Sequence, residues 1–143
     1  MKSIIHHLTV QTHLETEMID ITSQVKSLVS ESGVLSGVVY VLSLHTTTGL
    51  TVNEGLPDLE KDIMTLITRL APDGESYHHA RWLPSDGQMA INASSHLRGA
   101  LLGFQTFFPI EEGHMLSGSR QTIYFVELDG PQLRNYVVQI VGE

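Results

Sequence analysis

The segment SGVVYVLSLH, from Ser36 to His45, constrains the fold more than any other part of the chain. Its β-branched and aromatic residues read as a strand, and its mostly apolar middle predicts burial on both faces. It runs straight into HTTTGLTVNEG, from His45 to Gly55, where a histidine, four threonines, an asparagine and a glutamate crowd together. A core strand that ends in so many hydrogen-bonding side chains meets either a capped turn or the wall of a site.

The rest of the chain divides by period. Ile4 to Val10 alternates as a strand, with Ile4, His6, Leu8 and Val10 on one face and Ile5, His7 and Thr9 on the other. DITSQVKSLVSESG changes to helical spacing: Asp20 can cap, Ile21, Val25, Leu28 and Val29 form the apolar stripe, and Gly33 stops it. A second helix is predicted from Pro57 to Leu70, with Leu59, Ile63, Leu66, Ile67 and Leu70 on one side. Residues 73–90 have no period and read as a long ordered loop, and NASSHLRGALLG reads as a short helix carrying His96. FQTFFPI, RQTIYFVEL and LRNYVVQIVG close the chain as strands in a meander, the last two joined across a turn at DGPQ. This order predicts a single α+β domain over residues 1–143 with a largely antiparallel sheet. The apolar last strand would need a cover, which a homo-oligomer could supply.

Composition removes several classes of function. The 143 residues contain no cysteine, which excludes disulfides, thiolate metal sites and cysteine nucleophiles. Eight basic and sixteen acidic side chains leave a formal charge of −8, with no Lys/Arg cluster, so neither nucleic acid nor an anionic membrane is an expected partner. No apolar run reaches about 18 residues and the N-terminus alternates, so a soluble, cytoplasmic protein is expected.

Histidine is the unusual residue. Eight are present, at 6, 7, 13, 45, 78, 79, 96 and 114, without an HExxH motif, so a metal site would need separate elements to converge. His45 at the strand end, His78 or His79 in the long loop and His96 in the short helix are the best candidates. Imidazole suits zinc, nickel or Fe(II), and Glu54 or water could complete the coordination. Each residue also has a plainer reading. His45 can be satisfied by backbone, and Thr46, Thr47 and Thr48 can cap the strand end or orient an imidazole. Asn53 and Glu54 suit a helix entry as well as substrate or metal binding. Arg98 and Arg120 can clamp a phosphate or pair with acids at the surface. Neither GxSxG nor a P-loop occurs.

Read in order, His45-Thr46-Thr47-x-Gly49-Leu50-x-x-Asn53-Glu54, Tyr77-x-His79, Ser95-His96-Leu97 with Leu101 and Gly103, Gly118-x-x-Gln121 and ELDGP closely resemble the YjbQ-like family. This family is also called UPF0047 or the secondary thiamine-phosphate synthase family. The resemblance spans essentially the whole chain. It implies a small α+β domain with a β-sandwich-like sheet and a homotrimer with its histidines near the subunit boundary. It also implies a metal site on His45, His79 and His96, with Glu54 binding or acting as a base. Departures are Leu56-Pro57-Asp58 at the entry to the second helix, Ile91-Asn92-Ala93-Ser94 where acidic residues are common, and Arg120 in place of a tryptophan.

The function expected on this basis is metal-assisted chemistry on a phosphorylated or anionic small molecule. A thiamine-phosphate synthase side activity would join a hydroxymethylpyrimidine diphosphate to a thiazole phosphate. Catalysis falls to His45, His79, His96 and Glu54, and binding to Thr47, Asn53, Arg98 and Arg120. The cofactor is a divalent ion, zinc first, with nickel, iron or magnesium as alternatives. A metal-dependent hydrolase and a non-catalytic metal- or ligand-binding trimer are the other readings.

Overall fold

The alternation at the N-terminus becomes β1 (Lys2–Gln11), whose Ile4, His6, Leu8 and Val10 turn inward. The computed structural model describes residues 1–79, 82–83, 88–89 and 91–143. β1 pairs antiparallel with the C-terminal strand, whose other edge pairs with Ser36–Ser43. In chain order the remaining strands are β2 (Glu17–Asp20), β3 (Ser36–Ser43), β4 (Thr48–Asn53), β5 (Trp82–Leu83), β6 (Gln88–Met89), β7 (Gln105–Glu111), β8 (His114–Met115), β9 (Thr122–Glu127) and β10 (Leu133–Gly142). The helices are α1 (Thr22–Ser32), α2 (Pro57–Leu70) and α3 (Ala93–Leu102). One sheet runs β1-β10-β3-β7-β8, a second runs β2-β9-β4, and β5 pairs with β6. All pairings are antiparallel among the described residues, so the fold is α+β and sandwich-like.

The core lies between the two larger sheets. Val39, Val41, Phe108, Tyr136, Val138 and Ile140 from one sheet meet Leu50, Ile123 and Phe125 from the other. α1 adds Val25 and Val29 to this core. Asp20 accepts from the Thr22 amide at 2.9 Å, and Gly33 ends the helix at φ 68°, a left-handed conformation that glycine adopts without strain. On the opposite side of β9, Tyr124, Val126 and Leu128 pack with Ile67 and Met64 of α2 and Leu102 of α3.

Three expectations are corrected here. Burial on both faces belongs to β9 and not to β3. Val39, Val41 and Ser43 of β3 are buried, while Tyr40 between them is exposed. β9 is the strand with helices on one side and the main core on the other, and every residue from Ile123 to Glu127 is buried. The closing meander is also absent, because residues 129–132 carry the chain from one sheet to the other instead of closing a hairpin. β10 is therefore an interior strand, and β1 and β3 cover its edges. Finally, TGLTVN is a strand of its own, where a capped turn or the wall of a site was expected to follow β3. Of the 73–90 loop, residues 80–81, 84–87 and 90 lie outside the described residues.

The outer face of the larger sheet carries exposed apolar side chains. One register row runs Ile5, Gln139, Tyr40, Phe107, with the Tyr40 and Phe107 rings 6.2 Å apart. Phe107 is 64% exposed, so this contact leaves most of the ring uncovered. No helix among the described residues is long and apolar enough to cross a membrane.

Candidate functional site

The site begins with two charges placed where alternation demands apolar residues. Glu127 follows Phe125 in the inward register of β9, and Arg134 precedes Tyr136 in that of β10. They are 0% and 2% exposed, a cost that is tolerable only because they pair. Arg134 Nε donates to Glu127 Oε1 at 2.9 Å, Thr12 Oγ1 donates to the same oxygen at 2.7 Å, and the Leu128 and Asp129 amides donate to Oε2. Arg134 Nη2 then donates to Thr47 Oγ1 at 2.9 Å, so the network grips the turn between β3 and β4.

Burial pushes the Glu127 carboxyl upward, but the hydrogen bonds from Arg134, Thr12 and Asp129, with the Arg134 charge, outweigh it and hold its pKa below the ordinary value. A carboxyl with a depressed folded-state pKa stabilises the fold fully above its unfolded pKa and loses that contribution as pH falls through the folded value. Thermal melts from about pH 7 to about pH 3 are expected to show this acid-side loss, and Glu127→Gln is expected to flatten it. An unchanged acid limb in the variant would remove Glu127 as its source.

The gripped turn presents His45. Its amide donates to Ser43 Oγ at 3.3 Å, and Ser43 Oγ shares a hydrogen bond of 2.5 Å with Thr48 Oγ1. Its ring accepts at Nε2 from the Asn135 amide at 2.8 Å. Burial and the Arg134 charge lower the His45 pKa, with Glu127 opposing, so the neutral ring is favoured. α3 lies directly against this turn. A Cβ on Gly99 would stand 2.8 Å from the Thr48 carbonyl oxygen and 3.0 Å from that of Thr46, so only glycine allows the approach.

Between the turn and α3 is a cleft of about 540 Å³, lined by His45, Thr46, Thr48 and His96 together with Gly99 and Phe104. A second, of about 390 Å³, is lined by Tyr77, His78, His79, Ala93, His96 and Leu97. His96 borders both. Its ring meets that of His79 edge to face, with centroids 5.0 Å apart and planes at 87°. The Tyr77 hydroxyl donates to Pro72 O, and Ser94 Oγ on α3 donates to Asp73 Oδ1, so the loop leading to His79 is tied back at two points.

The other expected site residues lie elsewhere. Thr47 is enclosed by Arg134. Asn53 closes β4 at the end opposite Thr48, about 17 Å along the strand. Glu54 follows it and pairs with Arg120 at 3.6 Å, so neither is brought to the histidine clefts within the chain. Arg98 is buried under α3, with Nε donating to Ala71 O at 2.9 Å and Nη2 lying 3.3 Å from Asp73 Oδ1. It lines neither cleft.

A family model described as UPF0047 protein YjbQ-like matches residues 6–143. The chain belongs to the UPF0047 family. A UPF0047 protein of Archaeoglobus fulgidus is 39% identical over 132 residues, covering 92% of this chain and 97% of the relative. The UPF0047 protein YugU of Bacillus subtilis is 32% identical, covering 94% of this chain and 97% of its own length. Among solved structures, a YbjQ-like protein of unknown function from Sulfolobus solfataricus matches with a TM-score of 0.90 at 34% identity, covering 99% of both chains.

The three-histidine ion centre that a UPF0047 resemblance implies does not fit these residues as they stand. Among the described residues no three His, Asp or Glu side chains are grouped to hold one ion. His45 is moreover already engaged, since its Nε2 lone pair accepts from the Asn135 amide. His79 and His96 are the two of these histidines whose rings meet, with centroids 5.0 Å apart. Sequence reasoning missed Ser43, Gly99, Asn135 and the Glu127–Arg134 pair in this UPF0047 site. Only the pair left a signal, as two charges in inward register.

Proposed function

We propose that this chain is an enzyme acting on a small phosphorylated or otherwise anionic molecule held between the His45 turn and α3. One observation carries the reading: His96 is the common wall of two adjoining clefts and touches His79, so a single imidazole faces both halves of the space. An imidazole so placed can serve as a proton donor or acceptor to an occupant of either cleft, while the Thr46 hydroxyl and the His45 ring supply polar contacts. Thiamine-phosphate formation is one reaction of this class, in which diphosphate must be stabilised as it departs. The reading is of a cytoplasmic homotrimer, of which the uncovered Tyr40 and Phe107 face supports only the self-association.

A second reading rests on the geometry of the His79 and His96 pair. Those two residues would hold a divalent ion, zinc by the preference of imidazole over magnesium's oxygen-rich sites, with remaining positions left to substrate or water. Such an ion would supply Lewis acidity for hydrolysis of a phosphoester.

Turnover of a panel of phosphate monoesters, diphosphates and the thiamine-phosphate precursors by the full chain tests the first reading. His96→Ala is expected to lower the rate about 100-fold or more while the urea midpoint stays near that of the parent. A variant that keeps the parental rate would end the assignment. Elemental analysis of protein prepared without chelator separates the second reading, since metal retained at full stoichiometry in both His79→Ala and His96→Ala would dismiss it.

A further inference from the structure

β3 ends at Ser43, but β10 continues past that point to Leu133. Asn135 therefore faces a place where the next residue of a neighbouring strand would exchange two backbone hydrogen bonds with it. Half of that exchange is made, with the Leu44 amide donating to Asn135 O at 3.2 Å. The other half is made by a side chain, because the Asn135 amide donates to His45 Nε2 at 2.8 Å where a carbonyl would otherwise accept. The imidazole finishes the ladder of a sheet that its own strand has left.

This substitution decides where the ring proton sits. A backbone amide only donates, so Nε2 must present its lone pair to Asn135. A neutral imidazole has one such nitrogen, and the proton is consequently on Nδ1. Nδ1 makes no hydrogen bond among the described residues, and the ring lines the larger cleft. The residue is held at two places, its amide on Ser43 Oγ and its ring on Asn135, and the same turn is held again two residues on, by Thr47 on Arg134.

We infer that His45 serves the cleft as a fixed N–H donor to an electron-rich atom of the occupant, such as a phosphate or carboxylate oxygen, and not as a metal ligand. The inference rests on the cleft being a ligand site. For Nε2 to bind an ion, the ring must leave Asn135 and strand that amide. For Nδ1 to bind one, the ring must lose its only proton. Burial and the Arg134 charge oppose the doubly protonated ring, so the donor state does not give way easily to a cation.

The test uses the full chain labelled with 15N-histidine and two probes, Zn2+ and inorganic phosphate. Long-range 1H–15N spectra are expected to show His45 protonated at Nδ1 and bare at Nε2. Zn2+ should leave both nitrogens and the Asn135 amide in place, and phosphate should move the Nδ1–H resonance. A proton on Nε2, a joint shift of Nε2 and the Asn135 amide with Zn2+, or an Nδ1–H indifferent to phosphate overturns the proposal. His45→Gln can accept from Asn135 through its amide oxygen and donate through its nitrogen, so it should keep phosphate affinity within about threefold, whereas His45→Leu should lose about tenfold or more. Equal affinities in the two variants would count against the donor role. Absence of turnover would remove the enzyme reading while leaving these spectra to be judged alone.

Discussion

Arg134→Met is expected to cost about 3–5 kcal/mol of folding stability, read as a drop in the urea midpoint with the slope unchanged. The cost arises from Glu127, which has no exposed surface and would keep its charge without the guanidinium that neutralises it. Adding Glu127→Gln to Arg134→Met should recover part of the loss, because the stranded charge is then gone. A single-variant loss under about 1 kcal/mol would mean that water reaches the pair and that it behaves as a surface ion pair does. The local effect is as informative as the global one. Thr47 loses its donor, so the His45 turn should loosen, and the Asn135 amide should exchange faster in the variant than in the parent.

The second large effect is expected from Gly99→Ala. The added carbon would stand at 2.8 and 3.0 Å from two backbone carbonyl oxygens, neither of which can swing aside as a side-chain tip would. Overpacking of this kind costs about 1–3 kcal/mol, and the strain is relieved by α3 moving off the turn. The cleft lies along that seam, so ligand binding should weaken more than an alanine in a helix interior would otherwise explain. Urea denaturation and phosphate titration of the same sample check both parts. A variant as stable as the parent with unaltered affinity would show that α3 does not rest on Thr46 and Thr48 as described. A matched Ala100→Gly change gives the baseline for a simple propensity effect on stability alone, because Ala100 also lines the cleft.

The elements with a strong period were legible before the structure. The alternation of Ile4 to Val10 gave the inward face of β1, and Pro57 with Leu70 bounded α2 where it is found. Legibility failed where tertiary neighbours decide. The run GVVYVL is apolar enough for two buried faces, yet only one is covered within the chain, because periodicity reports what could be buried and not what arrives to cover it. TIYFVE has a similar composition and is the strand that receives helices on its second face. β4 was hidden by its threonines, which are good strand residues and equally good turn residues.

The candidate site was half legible for a related reason. His45 and His96 were found from their places at element ends, and they do border one cleft. Their roles were not readable, because a histidine's chemistry depends on which nitrogen is already engaged, and Asn135 lies 90 residues away in sequence. Glu54 matched a motif and Arg120 departed from one, but the length of β4 carries Glu54 to the other end of the sheet, where the two pair with each other. Arg98 sits one turn from Ser94 on α3, and both reach for Asp73, which makes that arginine an anchor of the loop more than a hand for substrate.

β9, with one face on the main core and the other on α2 and α3, leaves this fold little freedom to drift. A polar replacement at any position from Ile123 to Val126 would be buried whichever way it points, whereas the Tyr40 and Phe107 side of the larger sheet can change without disturbing the interior of its own chain. Variation among related chains should therefore be scarce along one short strand, and on the opposite outer surface it should be limited only by what covers that face in an assembly.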